Sequence, residues 1–177
     1  NIAANDGATP LYVAAKKNHL EIVNALLGAP KGADPNKART DGTTPLYVAV
    51  ERGNLEIVNA LLEKDADPNV TAHSLKGGVT TAIYEASRGG HLEIVSALLA
   101  AGADPKKART DGWGSPLHIA TEKGYINVVI ALIERAPHAD NNIARTSDGH
   151  TPLHIAAKKG RLNVVEKKKK NRADPNI

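Results

Sequence analysis

Asp41-Gly42-Thr43-Thr44-Pro45-Leu46-Tyr47-Val48-Ala49-Val50-Glu51-Arg52-Gly53-Asn54-Leu55-Glu56-Ile57-Val58-Asn59-Ala60-Leu61-Leu62, closed by Ala66-Asp67-Pro68-Asn69, is the stretch from which the rest of the chain can be read. A Thr followed by Pro is a helix N-cap with Pro at the first helical position, where its missing N–H does no harm. Apolar residues continue a short first helix, and Gly53 breaks it, being free to take left-handed geometry. Leu55, Ile57, Val58, Leu61 and Leu62 then repeat at helical period, which predicts a second helix with one apolar face. Asp67-Pro68 forces the chain out of helix. Upstream, Arg39-Thr40-Asp41-Gly42 reads as a turn.

Working outward, the same unit recurs along the whole chain. The first-helix signal is Thr9-Pro10-Leu11-Tyr12, Thr44-Pro45-Leu46-Tyr47, Thr81-Ala82-Ile83-Tyr84, Ser115-Pro116-Leu117-His118 and Thr151-Pro152-Leu153-His154. Thirteen residues after each Thr or Ser come Ile22-Val23, Ile57-Val58, Ile94-Val95, Val128-Val129 and Val164-Val165. Asn18, Gly53, Gly90, Gly124 and Gly160 stand at the matching break between helices. An Asp closes each copy at Asp34, Asp67, Asp104, Asp140 and Asp174. Insertions fall only in linkers, around Ala29-Pro30, Ala136-Pro137 and between Val70 and Val79. Packed helices resist insertion where exposed loops tolerate it.

A unit of about 33 residues with these signatures, in five copies, resembles the ankyrin repeat. The resemblance implies an all-α fold: a solenoid of helix–turn–helix units joined by β-hairpin-like loops, curved, and binding proteins on its concave groove and loop tips. One domain over residues 1–177 is expected, with repeats spanning about 1–36, 37–69, 70–106, 107–142 and 143–177. The fifth copy departs from the pattern, with Lys168-Lys169 where the others have Leu26-Leu27, Leu61-Leu62, Leu98-Leu99 and Leu132-Ile133. The chain starts in mid-linker and ends at a matching place, a phasing that reads as a piece of a longer array, with a degenerate terminal cap as the alternative.

Composition narrows the function classes. There is no Cys, Met or Phe, so the core must be Leu, Ile, Val and Ala, and no disulfide, thiolate nucleophile or thiolate metal site can form. No apolar run approaches the roughly 18–20 residues of a membrane span, and the N-terminus lacks signal-peptide regions. The net charge of +4 comes from Lys167–Lys170 and Arg172, without which 18 basic residues face 19 acidic ones. That run has three readings: a solvated terminal helix, a nuclear-import or nucleic-acid patch, or an altered last repeat. The near-neutral remainder, short of stacking aromatics, argues against nucleic acid. An intracellular protein, cytoplasmic or nuclear, or a translocated bacterial effector fits this composition.

The search for chemistry finds no motif. His118 and His154 share their position with Tyr12, Tyr47 and Tyr84, an exchange that a metal ligand or general base could not accept. The family resemblance gives them a structural role, bonding the capping hydroxyl and neighbouring repeats. His150 and His154 are four apart, but His150 lies in the turn and no third ligand accompanies them. No Ser has a nucleophile-elbow context. Gly28-Ala29-Pro30-Lys31-Gly32 follows a helix and lacks the ending of a phosphate loop. No enzyme activity, cofactor or metal is therefore expected.

What remains is binding to another protein, by a monomer, with no membrane or nucleic acid. The alternative is a targeting or substrate-recognition domain excised from a larger enzyme or bacterial effector. In the family the partner meets the turn tips and the late residues of each first helix. Mapped here, those are Lys16, Lys17, Glu51, Arg52, Arg88, Gly89, Glu122, Lys123, Lys158 and Lys159, seven basic and two acidic side chains among ten positions. Thr40, Asp41, Thr43 and Asp111 mark the tips. Such a surface favours an acidic partner segment, although Lys and Arg are also common on any exposed helix. Trp113, the single Trp, sits between glycines in the fourth linker and reads as an anchor, since Trp is enriched at interface hot spots. The other reading is a ring laid flat over the adjoining repeat.

Overall fold

A computed structural model describes residues 3–73, 78–135 and 142–170, with side chains through Lys167. The five first helices are α1 (Pro10–Lys16), α3 (Pro45–Glu51), α5 (Ala82–Gly89), α7 (Pro116–Lys123) and α9 (Pro152–Lys158). Each is followed by a second helix: α2 (Leu20–Gly28), α4 (Leu55–Leu62), α6 (Leu92–Ala100), α8 (Ile126–Arg135) and α10 (Leu162–Lys170). First helices contact first helices of adjoining units, second helices contact second helices, and each pair packs on itself. The result is a two-layer solenoid in which each unit leans on its neighbours.

The predicted caps form. The hydroxyls of Thr9, Thr44, Thr81 and Thr151 accept the N–H three residues on, at 3.1, 3.1, 3.4 and 3.3 Å. The break between helices takes positive φ at Gly53, Gly90, Gly124 and Gly160, and Asn18 takes the same conformation with φ 60°. Ala14, Ala49, Ala86, Ala120 and Ala156 form one buried column, small enough to let first and second helices approach closely. Ile57, Ile94, Val128 and Val164 fill the next column. Ile22, their counterpart in the first repeat, is half exposed, as is Val13 beside it.

The linkers form a second continuous strip. Each Asp-Gly turn closes on its own Asp, whose carboxylate accepts the N–H two residues later: Asp6 to Ala8, Asp41 to Thr43, Asp111 to Trp113 and Asp148 to His150. Successive tips are bonded to one another, through Thr40 N–H to Asp6 O, His73 N–H to Asp41 O, Thr110 N–H to Val79 O and Ser147 N–H to Gly112 O. Among the described residues only the long third linker makes a regular ladder, β1 (Thr71–His73) antiparallel to β2 (Val79–Thr81), with Ala72 opposite Thr80. On the other edge Asn36 and Asn69 tie repeats together. Asn36 Nδ2 donates to Asp65 O and its Oδ1 accepts Asp67 N–H, and Asn69 does the same with Gly102 and Asp104. The Ala136-Pro137 insertion, Asp140, Asp174 and the side chains of Lys168 and Lys169 lie outside the described residues.

Candidate partner-binding face

The histidines take up capping work. Nδ1 of His118 accepts the N–H of Ser115 at 3.1 Å and lies 2.9 Å from its hydroxyl. His154 and Thr151 repeat the arrangement at 3.3 and 2.8 Å. Acceptance at Nδ1 assigns the ring proton to Nε2. His150 and His154 stand edge to face with ring centroids 5.8 Å apart. Among the described residues no three His, Cys, Asp or Glu side chains gather closely enough to hold a metal ion.

At two of the three positions where Tyr replaces His, an arginine from the following turn lies over the ring. Arg39 covers Tyr12 at 5.3 Å and Arg109 covers Tyr84 at 5.4 Å. Arg39 also bridges Asp6 and Asp41, at 3.0 and 2.8 Å. Arg109 is held by Asp111, with Nε 3.0 Å from Oδ1. That bond, helped by the Trp113 N–H, keeps the Asp111 carboxyl below its usual range although burial opposes the shift. Tyr84 is pushed up, chiefly by burial. Tyr47 has no such arginine. It lies instead beside the Glu85 carboxylate, and burial with Glu85 and Glu51 nearby raises its phenol far above the ordinary value.

In the fifth turn the same arginine position reaches further. Arg145, nearly buried, donates to Glu122 at 2.6 Å and places its guanidinium 5.9 Å from the Trp113 ring centroid. Trp113 itself is 53% exposed. Its ring meets the adjoining repeat through Arg145, and its N–H donates to Asp111 Oδ1 at 3.4 Å. A cavity of about 340 Å³ opens beside it, lined by Tyr84, Arg88, Ile119, Glu122, Lys123 and Tyr125 with Trp113 and Arg109. Tyr125 is set low there because Gly90 has no side chain: a Cβ on Gly90 would come within 2.9 Å of the ring.

Four predicted residues, Trp113, Arg88, Glu122 and Lys123, therefore meet in one cavity. Lys158 and Lys159 line a smaller depression with Glu122 and Arg145, directly along the same face. Lys16, Lys17, Glu51 and Arg52 are exposed on α1, α3 and the residues that end them, and line neither cavity. The tips need correction. Thr43 is buried, with its N–H on the Asp41 carboxylate. Thr40 is exposed, but its hydroxyl donates to Asp6 O at 3.0 Å. Asp41 and Asp111 already serve Arg39 and Arg109. Sequence reasoning missed Arg39, Arg109 and Arg145, which recur at one turn position, and missed Glu85, whose signal is a charge in a column that is otherwise apolar.

No helix among the described residues is long and apolar enough to cross a membrane. No curated protein matches the chain. The family model described as Ankyrin repeats (3 copies) matches residues 1–72 and 83–177, and a second, Ankyrin repeats (many copies), matches residues 48–99. Ankyrin repeats are generally protein–protein interaction modules. With five capped helix pairs, bonded turn tips and family matches that cover most of its length, the chain belongs to the ankyrin repeat family.

Proposed function

We propose that the chain is a non-catalytic scaffold that holds a partner protein against its first-helix layer, centred on repeats three to five. The observation that carries this is Trp113, half exposed on a fixed turn beside a cavity whose rim includes Arg88 and Lys123. Lys158 and Lys159 continue the basic row. An aromatic anchor bordered by positive charge suits a partner segment with apolar and acidic residues.

Capture from native extract with mass spectrometry supplies the partner, and substitutions then locate it. Trp113→Ala should cost about 2 kcal/mol or more, roughly a thirtyfold loss of affinity. Reversing Lys158 and Lys159 to Glu should mainly slow association, and less so at high salt. Glu56→Lys, on the opposite layer, is the control. The reading fails if Glu56→Lys weakens binding more than either change on the first-helix face.

A further inference from the structure

Glu85 stands in a column that is apolar in every other repeat. Val13, Val48, Ile119 and Ile155 hold the equivalent positions, whereas Glu85 is a carboxylate only 3% exposed. Burying such a group is costly unless it is paired. Its Oε2 takes the Nε–H of Arg88 at 2.5 Å, and the Tyr47 phenol lies beside the carboxylate, while among the described residues Oε1 has no hydrogen-bond partner. A valine or isoleucine would have filled the column without this cost, as it does in the other repeats. What the acid supplies is a fixed position for Arg88.

Arg88 is held by one edge only. Among the described residues Nε is its sole engaged nitrogen, so the two terminal nitrogens keep their N–H groups for something else. The side chain lines the cavity beside Trp113. Around that cavity the other charges cancel in pairs, Arg109 with Asp111 and Glu122 with Arg145. Lys123 has no ion-pair partner among the described residues. The remaining walls are Trp113, Tyr84, Tyr125 and Ile119. At about 340 Å³ the cavity is at the small end of ligand pockets and suits one large side chain. A guanidinium fork receives a carboxylate in two parallel bonds, and fixing it beforehand saves the cost of ordering it.

We propose that this cavity receives two adjoining groups of a partner protein: an apolar or aromatic side chain against Trp113 and Tyr125, and one Asp or Glu carboxylate on Arg88 and Lys123. Glu85 is the positioning residue that holds Arg88 ready. The proposal rests on the first-helix layer being the partner surface, and narrows it from a general attraction for acidic segments to one carboxylate at a fixed place.

The test selects a phage-displayed library of random twelve-residue peptides on the immobilised full chain. Enriched peptides are remade with the acid as Glu or Gln, and their Kd values are measured by fluorescence anisotropy. Enriched sequences should place an aromatic or long aliphatic residue within two positions of an Asp or Glu, and the Glu form should bind about tenfold tighter or more. Trp113→Ala should weaken both forms. Arg88→Lys and Lys123→Gln should weaken the Glu form alone. Glu85→Val should leave the melting temperature unchanged or higher, because it restores the column. It should nevertheless lower the Glu-over-Gln preference several-fold, which a merely structural Glu85 would not do. No enrichment, enriched peptides without an acid, or a preference that survives Glu85→Val would overturn the proposal. Peptides that respond to Lys158→Glu/Lys159→Glu but ignore Trp113, Arg88 and Lys123 would refute the pocket and leave the broader surface standing. Peptides sensitive only to Glu56→Lys would refute both.

Discussion

One substitution made at equivalent positions should have very different costs along the array. Ile57 and Ile22 occupy the same place in successive second helices, yet Ile57 is fully buried and Ile22 is 50% exposed. Changing either to alanine removes roughly three carbons, each worth about 0.8 kcal/mol when buried. At Ile57 that is about 2.4 kcal/mol of transfer, to which the cavity adds, within the roughly 2–5 kcal/mol seen for such core changes. About 3–4 kcal/mol is therefore expected. At Ile22 half the transfer is already forfeited and water reaches the space, so about 1 kcal/mol is expected. Alanine's better helix propensity offsets both by a similar few tenths and leaves the difference near 2 kcal/mol. Urea denaturation followed by helical circular dichroism measures it, with the m-value checked because repeat arrays can lose two-state behaviour. Equal costs at the two positions would show that the face carrying Ile22 and Val13 is covered in solution, and would refute the reasoning.

Further outcomes follow from the edges of the stack. Asn69→Ala deletes both bonds of a rung between repeats, 3.0 Å to Gly102 O and 2.8 Å from Asp104 N–H. It should cost about 1–2 kcal/mol, a fall in Tm of roughly 2–8 °C, and a calorimetric scan showing none would discount the rung. The carboxyls of Asp41 and Asp111 are held below their ordinary value of 3.8, Asp41 against the opposing effect of burial by the N–H and hydroxyl of Thr43, Asp111 by Arg109. A depressed folded pKa stabilises above the ordinary value and ceases to do so as pH falls through it, so stability should drop below about pH 4. Asp111→Asn should flatten that acid limb of the Tm-against-pH curve, and an unchanged limb would exclude Asp111 as a contributor.

The architecture was legible because it is written locally and five times over. A Thr-Pro start and a Gly or Asn break each specify one backbone event, and among the described residues those events occur where their residues stand. The candidate face was only half legible. Arg88, Glu122 and Lys123 were candidates by repeat position and Trp113 as the single Trp between glycines, and all four line one cavity. At the tips, position alone does not show that Thr43 is buried or that Asp41 and Asp111 are paired with arginines. Asp41 and Asp111 pair with arginines two residues away, and what position alone hides most is Arg39 reaching back some thirty residues to Asp6 and Tyr12. Glu85 was within reach of a column-by-column comparison. Its meaning was not, since Arg88 lies one turn along the same helix but Tyr47 comes beside the carboxylate only once two repeats are stacked.

Helix packing concentrated between adjoining units also shapes how the chain can come into being. A ribosome adds about 5–20 residues per second, so a unit of about 33 residues takes roughly two to seven seconds to appear. Helix pairs form and dock in far less time. No unit has to wait for a distant strand, and the closure distances are short from the first contact onward. Each newly made repeat therefore meets a surface already finished by the one before it, and hydrophobic columns such as Ala49 and Ala86 are covered almost as soon as they are synthesised. The protein is assembled in its working order, with little opportunity for its apolar faces to find the wrong neighbour.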